Sequence, residues 1–266
     1  MSSDQRQGAA TSDYREVLPP RELAGYFLCL WSQTIHGPEE FQQRVLPDGC
    51  IDIVVVNDVP MLAGPWTKPF TASFAPGTTI TGARFHPGAA SSLLGLPASE
   101  LLNAVVPLDE IWSRPEAARF STFSPEWNAA QRTSAMARVL AKRTSGALPV
   151  DWTVGAAIRW IARHPRGRME ELGRTLHLGN RQLQRRFTAA VGYGPKLFQS
   201  ILRFQRSLAL ANHGGVQGDL ARIAAEAEYA DQAHMSREVQ RFSGVPPAKL
   251  LHSARSTLQL SELVRV

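Results

Sequence analysis

GNRQLQRRFTAAVGYGP (179–195) and DQAHMSREVQRFSGVPP (231–247) are two versions of one pattern, 52 positions apart. At that offset Leu183 falls on Met235, Arg185 on Arg237, Phe187 on Val239, Gly192 on Gly244 and Pro195 on Pro247. A repeat at fixed spacing means that one supersecondary unit has been used twice. Each copy reads as a short helix, a tight turn and a basic helix, the construction of a helix-turn-helix reader of the DNA major groove.

The first basic helix is placed at 180–190, with Gly179 in the cap position. Turning 100° per residue sets Leu183, Phe187 and Ala190 on one side, facing Leu172 and Leu176 of the preceding helix. Arg181, Gln184, Arg185 and Thr188 gather on the opposite side. Arg reads guanine and Gln reads adenine by paired hydrogen bonds, so these types suit a groove. Arg186 points elsewhere, as a phosphate contact or a salt-bridge member. In the second unit, 231–242, Asp231 caps the helix through its carboxylate. Met235, Val239 and Phe242 face inward. Ala233, His234, Arg237 and Arg241 face outward, Arg237 being the best base reader, and Gln232 sits at the edge of the buried side. A helix over 195–212 joins the units, fixed by Phe198, Ile201, Leu202, Leu208 and Leu210. Its Lys196, Arg203 and Arg206 are phosphate candidates, as are Thr188 in the first unit and Ser236 and Arg241 in the second. Eighteen residues at ~1.5 Å each span ~27 Å, close to one duplex turn of ~34 Å.

Charge agrees with that placement. Residues 149–254 carry 15 Lys+Arg against 8 Asp+Glu, while the rest carry 14 against 15, so the whole excess of +6 sits with the repeat. Such a field attracts a polyanion, with affinity falling as salt rises.

Working outward, the break at Gly146-Ala-Leu-Pro149 separates this all-α half from a β-rich N-terminal half, a small barrel or sheet with short helices. Strands are expected at 26–31, 41–46, 51–56, 70–74 and 79–85, with Asp48-Gly49 turning a hairpin between the second and third. Small helices follow at 88–94 and 108–112. A longer one over 124–143, capped by Ser124 with Pro125 at its first position, belongs to a helical connector at 116–148, either a dimer seam or a rigid link. The β-rich domain is taken as 14–115. Residues 1–13 read as disordered and 255–266 as a tail of undefined structure.

The long ordered match LGNRQLQRRF, VGYGPKLFQSILRFQRSLAL, IAAEAEYADQAHMSREVQRFSGVPPAKLL resembles the AraC/XylS family of bacterial transcription regulators over roughly 151–252. The resemblance implies base contacts at Arg181, Gln184 and Arg185 in the first unit and among Gln232, Ala233, His234 and Arg237 in the second. Two positions depart from the family pattern. Glu228 stands where a glycine usually precedes the aromatic residue, here Tyr229, which strains that turn, and Gly179 replaces a hydroxyl cap. The N-terminal stretches VLPDGCIDIVV, GPW (64–66) and TGARFHPGAASSLLGLPASELLNAVVPLDEIW resemble an uncharacterised sensor-type domain and imply control by a ligand or partner.

Arg84, in Arg84-Phe85-His86-Pro87-Gly88, is a candidate for holding a ligand carboxylate with His86, set against a pairing with Asp52 or Asp48. Cys29, Cys50, Asp48, Asp52, His36 and His86 lack metal-ligand spacing and read as buried or turn residues, so neither a metal nor a cofactor is expected. The expected partners are double-stranded DNA, a small-molecule effector, RNA polymerase and a second copy of the chain. With no signal peptide and no apolar run of ~18 residues, the expected location is the cytoplasm. The competing readings are a Cys29- or Cys50-based methyl acceptor targeted by the C-terminal half, and an architectural protein without sequence preference.

Overall fold

The computed structural model describes residues 10–124, 126–212 and 219–253. Its N-terminal part is built on a six-stranded antiparallel sheet in the order β1-β2-β7-β4-β5-β8. These strands are β1 (Thr11–Val17), β2 (Phe27–His36), β4 (Asp52–Val56), β5 (Val59–Ala63), β7 (Thr79–Phe85) and β8 (Val105–Pro107). A separate two-stranded ribbon pairs β3 (Phe41–Val45) with β6 (Phe70–Phe74).

The period of two along each strand sorts the side chains onto two faces. Leu30, Ala83, Ile53 and Leu62 lie opposite one another across β2, β7, β4 and β5, and all four belong to one apolar core. The helix α3 (Ala129–Thr144) closes that core with Met136 and Leu140, both fully buried. On the other face Trp31 lies opposite Gly82, where a Cβ would run into the indole, so only glycine lets the ring lie against the sheet.

Residues 11–13, read as disordered, form the start of β1 in full register with β2; their alternation was too short and polar to stand out. Strands β5 and β8 add to the expected set. Asp48-Gly49 turns no hairpin, because β3 pairs with β6 and β4 with β5 and β7. The long helix starts at Ala129 under an Asn128 cap, whose side chain accepts from the Gln131 amide at 3.0 Å. The Ser124 hydroxyl accepts from the Glu126 amide at 3.3 Å and does not cap the long helix, and Pro125 lies outside the described residues. The stretch read as a connector is part of the N-terminal core, since α3 packs on β2 and β7. Residues 1–9 and 254–266 also lie outside the described residues.

Among the described residues the C-terminal half is built of helices. It runs α4 (Trp152–Arg163), α5 (Met169–Thr175), α6 (Asn180–Val191), α7 (Pro195–Asn212), α8 (Leu220–Glu226), α9 (Gln232–Ser243) and α10 (Pro247–Ser253). The earlier short helices are α1 (Ala90–Leu94) and α2 (Arg114–Ala117). One core spans both repeats. Phe187 meets Phe198 edge-on at 5.5 Å, and Phe204 lies against Phe242 at 5.4 Å, so α7 is packed to a helix of each unit.

Candidate nucleic-acid interface

The two units are built alike down to their turns. After α5 the amide of Leu178 donates to Gly173 O at 2.9 Å, and after α8 the amide of Tyr229 donates to Ala224 O at 2.9 Å. Closing a helix that way needs one left-handed residue. It is His177 (φ 53°) in the first unit and Glu228 (φ 61°) in the second. The strained turn expected at Glu228 is therefore present, and it is held from two sides. Arg206 Nη1 pairs with Glu228 Oε1 at 3.1 Å, and Arg166 donates to the carbonyls of Glu228 and Tyr229. Both basic helices end at a left-handed glycine, Gly192 (φ 99°) and Gly244 (φ 74°), whose amides donate to Thr188 O and Gln240 O.

Asp231 caps α9, accepting from the His234 amide at 2.6 Å, while Gly179 caps α6 without a side-chain bond. Leu183 and Phe187, like Met235, Val239 and Phe242, are buried in the common core. Arg181, Gln184 and Arg185 stand exposed on α6, and Gln232, Ala233 and Arg237 on α9. Gln232 is thus more open than its place on the wheel implied. None of Arg181, Arg185 and Arg237 takes part in a salt bridge among the described residues. Gln184 folds back, donating to Thr188 Oγ1 at 3.4 Å and lying over Gly194. His234 is half-buried, with its ring against Tyr229 and its Nε2 3.8 Å from Glu238. Ser236 is half-buried; Arg241 is exposed, with its guanidinium over Phe242.

Two candidate phosphate contacts are committed inside the protein. Arg186 forks onto Asp151 with bonds of 2.8 and 3.0 Å, the salt-bridge alternative, and so ties α6 to the cap of α4. Burial pulls the Asp151 carboxyl upward, but Arg186 and the amides of Val154 and Thr153 outweigh it and hold it below the usual carboxylate range. Arg203 is buried, bonded to Pro165 O and Ser200, 3.4 Å from Glu238 and over the Tyr229 ring. A helical wheel cannot show this, because the covering residues come from elsewhere in the chain. Lys196 is exposed and donates to Gln199 at 2.8 Å.

In the N-terminal part Arg84 is not open to a ligand carboxylate. It lies 3.2 Å from Asp52, 3.9 Å from Asp48 and 3.9 Å from Glu16. Burial works against its charge, and Asp52 and Asp48 more than offset that and strengthen its hold on the proton. Asp52 also accepts from the Trp31 indole at 3.0 Å. His86 Nε2 sits 3.1 Å from Ala24 O, and His36 pairs with Asp13 at 3.3 Å. Cys29 and Cys50 are both buried, and burial pushes the Cys50 thiol up, against forming a nucleophilic thiolate. Among the described residues no group of three or more His, Cys, Asp and Glu could hold a metal ion, and no helix is long and apolar enough to cross a membrane.

Two helix-turn-helix units on one packed strut, with exposed arginines on both second helices, form a double helix-turn-helix module suited to DNA. Two family models match parts of the chain. The family described as "Helix-turn-helix domain" matches residues 172–253, and a "Domain of unknown function (DUF6597)" matches 15–107. The C-terminal half thus carries a helix-turn-helix domain and the N-terminal half a domain of unknown function. No curated protein matches it. Among solved structures it is similar to a probable AraC family transcriptional regulator from Rhodopseudomonas palustris. That likeness has 20% identity, covers 40% of this chain and 99% of the other, and has a TM-score of 0.36. ToxT from Vibrio cholerae is similar at 10% identity, 92% and 98% coverage and a TM-score of 0.46. An unsaturated fatty acid-bound ToxT matches at 12% identity, 94% and 97% coverage and a TM-score of 0.42.

Proposed function

We propose that this chain is a transcription regulator of the AraC/XylS type that reads a bipartite site of roughly 17–20 bp, with α6 and α9 in successive major grooves about one turn apart. The observation that carries this reading is the single 18-residue helix α7 packed to a phenylalanine of each unit. Arg181, Gln184 and Arg185 would contact bases in one block, and Gln232, Ala233, His234 and Arg237 in the other. Gln184 must first leave its contact with Thr188. Lys196 and Arg241, with the hydroxyls of Thr188 and Ser236, are the remaining phosphate contacts, and Arg206 joins them only by leaving its pair with Glu228.

The protein has no catalytic role in this reading. The buried cysteines disfavour a methyl-acceptor enzyme, and the exposed arginines and glutamines on α6 and α9 disfavour sequence-blind binding. A small-molecule effector would enter the N-terminal domain. A hollow of about 880 Å³ beside α3, lined by Leu18, Leu30, Phe123, Trp127 and Val139 and edged by Arg138 and Lys142, replaces Arg84 and His86 as its candidate site. RNA polymerase and a second copy of the chain complete the expected partners, in the cytoplasm.

The test is sequencing of genomic fragments retained by the full-length protein at near-physiological salt. Two enriched blocks about one helical turn apart support the reading. Retention without a motif sinks it in favour of an architectural role.

A further inference from the structure

Residues 44–49 of the N-terminal domain reach into the DNA-reading half at points that bear on both units. Leu46 is 4% exposed and belongs to the apolar core of the helical domain, not to that of its own sheet. Next to it the carbonyl of Pro47 accepts from Gln205 Nε2 at 2.6 Å, a buried bond to the middle of α7. Gly49 (φ +88°) lies so close to Phe198 that a Cβ there would stand 2.8 Å from its ring. Phe198 and Gln205 are seven positions apart, two turns along one face of α7. Tyr193, just past α6, closes the same seam with its hydroxyl fully buried.

Arg44 Nη1 donates to Ser243 O at 3.2 Å, at the end of α9. The end of α6 is held separately, because a Cβ on Gly192 would crowd Pro65 and stand 3.1 Å from Ala98 O. The segment is anchored on its own side as well. Asp48 accepts from the Cys50 amide at 2.9 Å and lies 3.9 Å from Arg84 of β7. All these contacts use the C-terminal ends of α6 and α9 and the flank of α7. The reading faces with Arg181, Arg185 and Arg237 stay exposed, so docking does not mask them.

We propose that the segment Arg44–Gly49 is a specificity-determining clamp. It stiffens the angle between the two recognition helices and so sets the block spacing that the protein accepts. The inference rests on the two-groove reading above. Joined readers gain affinity only while their geometry matches the paired sites. A stiff pair therefore rejects a spacing changed by one base pair, and a loosened pair tolerates it.

The experiment measures affinity of the full-length protein, by fluorescence anisotropy, for four duplexes: the site found by fragment sequencing, that site with one base pair added or removed between the blocks, and one block alone. Wild type should lose about tenfold or more at altered spacing. Gly49→Ala, which wedges the seam, and Arg44→Ala, which cuts the tie to α9, should flatten that loss to about threefold or less, with one-block affinity unchanged. If Gly49→Ala does not fold, Arg44→Ala decides alone, since its side chain is exposed. A spacing penalty equal to wild type in the variants overturns the clamp and leaves the two-groove reading standing. A flat profile already in wild type overturns the two-groove reading, and the clamp with it.

Discussion

Arg185 and Arg237 occupy equivalent places in the repeat, and both project from exposed helix faces without an ion partner among the described residues. Replacing either with alanine should cost ~1–3 kcal/mol in binding and relax specificity in its own block. Equal loss on every sequence, measured across a panel of single-base operator variants, would demote that residue to a phosphate contact. Glu228 poses a different question, because the left-handed backbone and the Arg206 ion pair oppose each other at one residue. The strain amounts to ~1 kcal/mol or more, whereas a partly exposed pair contributes ~0–1. Glu228→Gly should therefore stabilise the protein by roughly 0.5–1 kcal/mol, seen as a higher urea midpoint; a lower midpoint would mean that the ion pair outweighs the strain.

At the level of elements, α4 and α6 are joined by Asp151 and Arg186. The folded carboxyl ionises below its unfolded value of about 4, so its stabilisation is present above that value and vanishes as pH falls through the folded one. Asp151→Asn keeps an acceptor that can cap α4 but removes the charge. It should lose ~1 kcal/mol at neutral pH, with the two melting temperatures converging in acid. A constant gap across pH would assign Asp151 to capping alone. Much of this level was open to periodicity. The bounds of α7 are those expected, 195–212, and α6 and α9 lie within a residue or so of expectation, because strong apolar periodicity and Gly or Asp caps mark them. The first strand and the start of α3 were hidden. Thr11–Val17 is polar and largely exposed, so its place depends on pairing with β2, and Ser124 offered a cap as plausible as the Asn128 that is used.

For the whole molecule, the basic half should make DNA affinity steeply salt-dependent, falling by roughly 10³ between 50 and 200 mM if about six phosphates are neutralised. Lys196→Ala should lower the slope of log affinity against log salt by about 1. Arg203→Ala should leave the slope unchanged while destabilising the fold by ~3 kcal/mol, because it takes the guanidinium from Glu238, only 12% exposed, and leaves it His234 alone at 3.8 Å. A slope that falls with Arg203→Ala would return that residue to the DNA surface.

The sequence by itself determined the repeat, its two basic helices, the helix that joins them and the sign of the partner's charge. These depend on local periodicity, caps and composition, which need no knowledge of what packs where. The tertiary structure alone decided which cations are available. Arg186, Arg203 and Arg84 look alike in sequence to Arg185, but each meets carboxylates brought from 35, 35 and 32 positions away. It also decided that Asp48-Gly49 serves a seam between domains instead of a hairpin, and that Leu46 is buried among helices far along the chain. Such pairings are long-range, and only the closed packing of sheet against helices selects them.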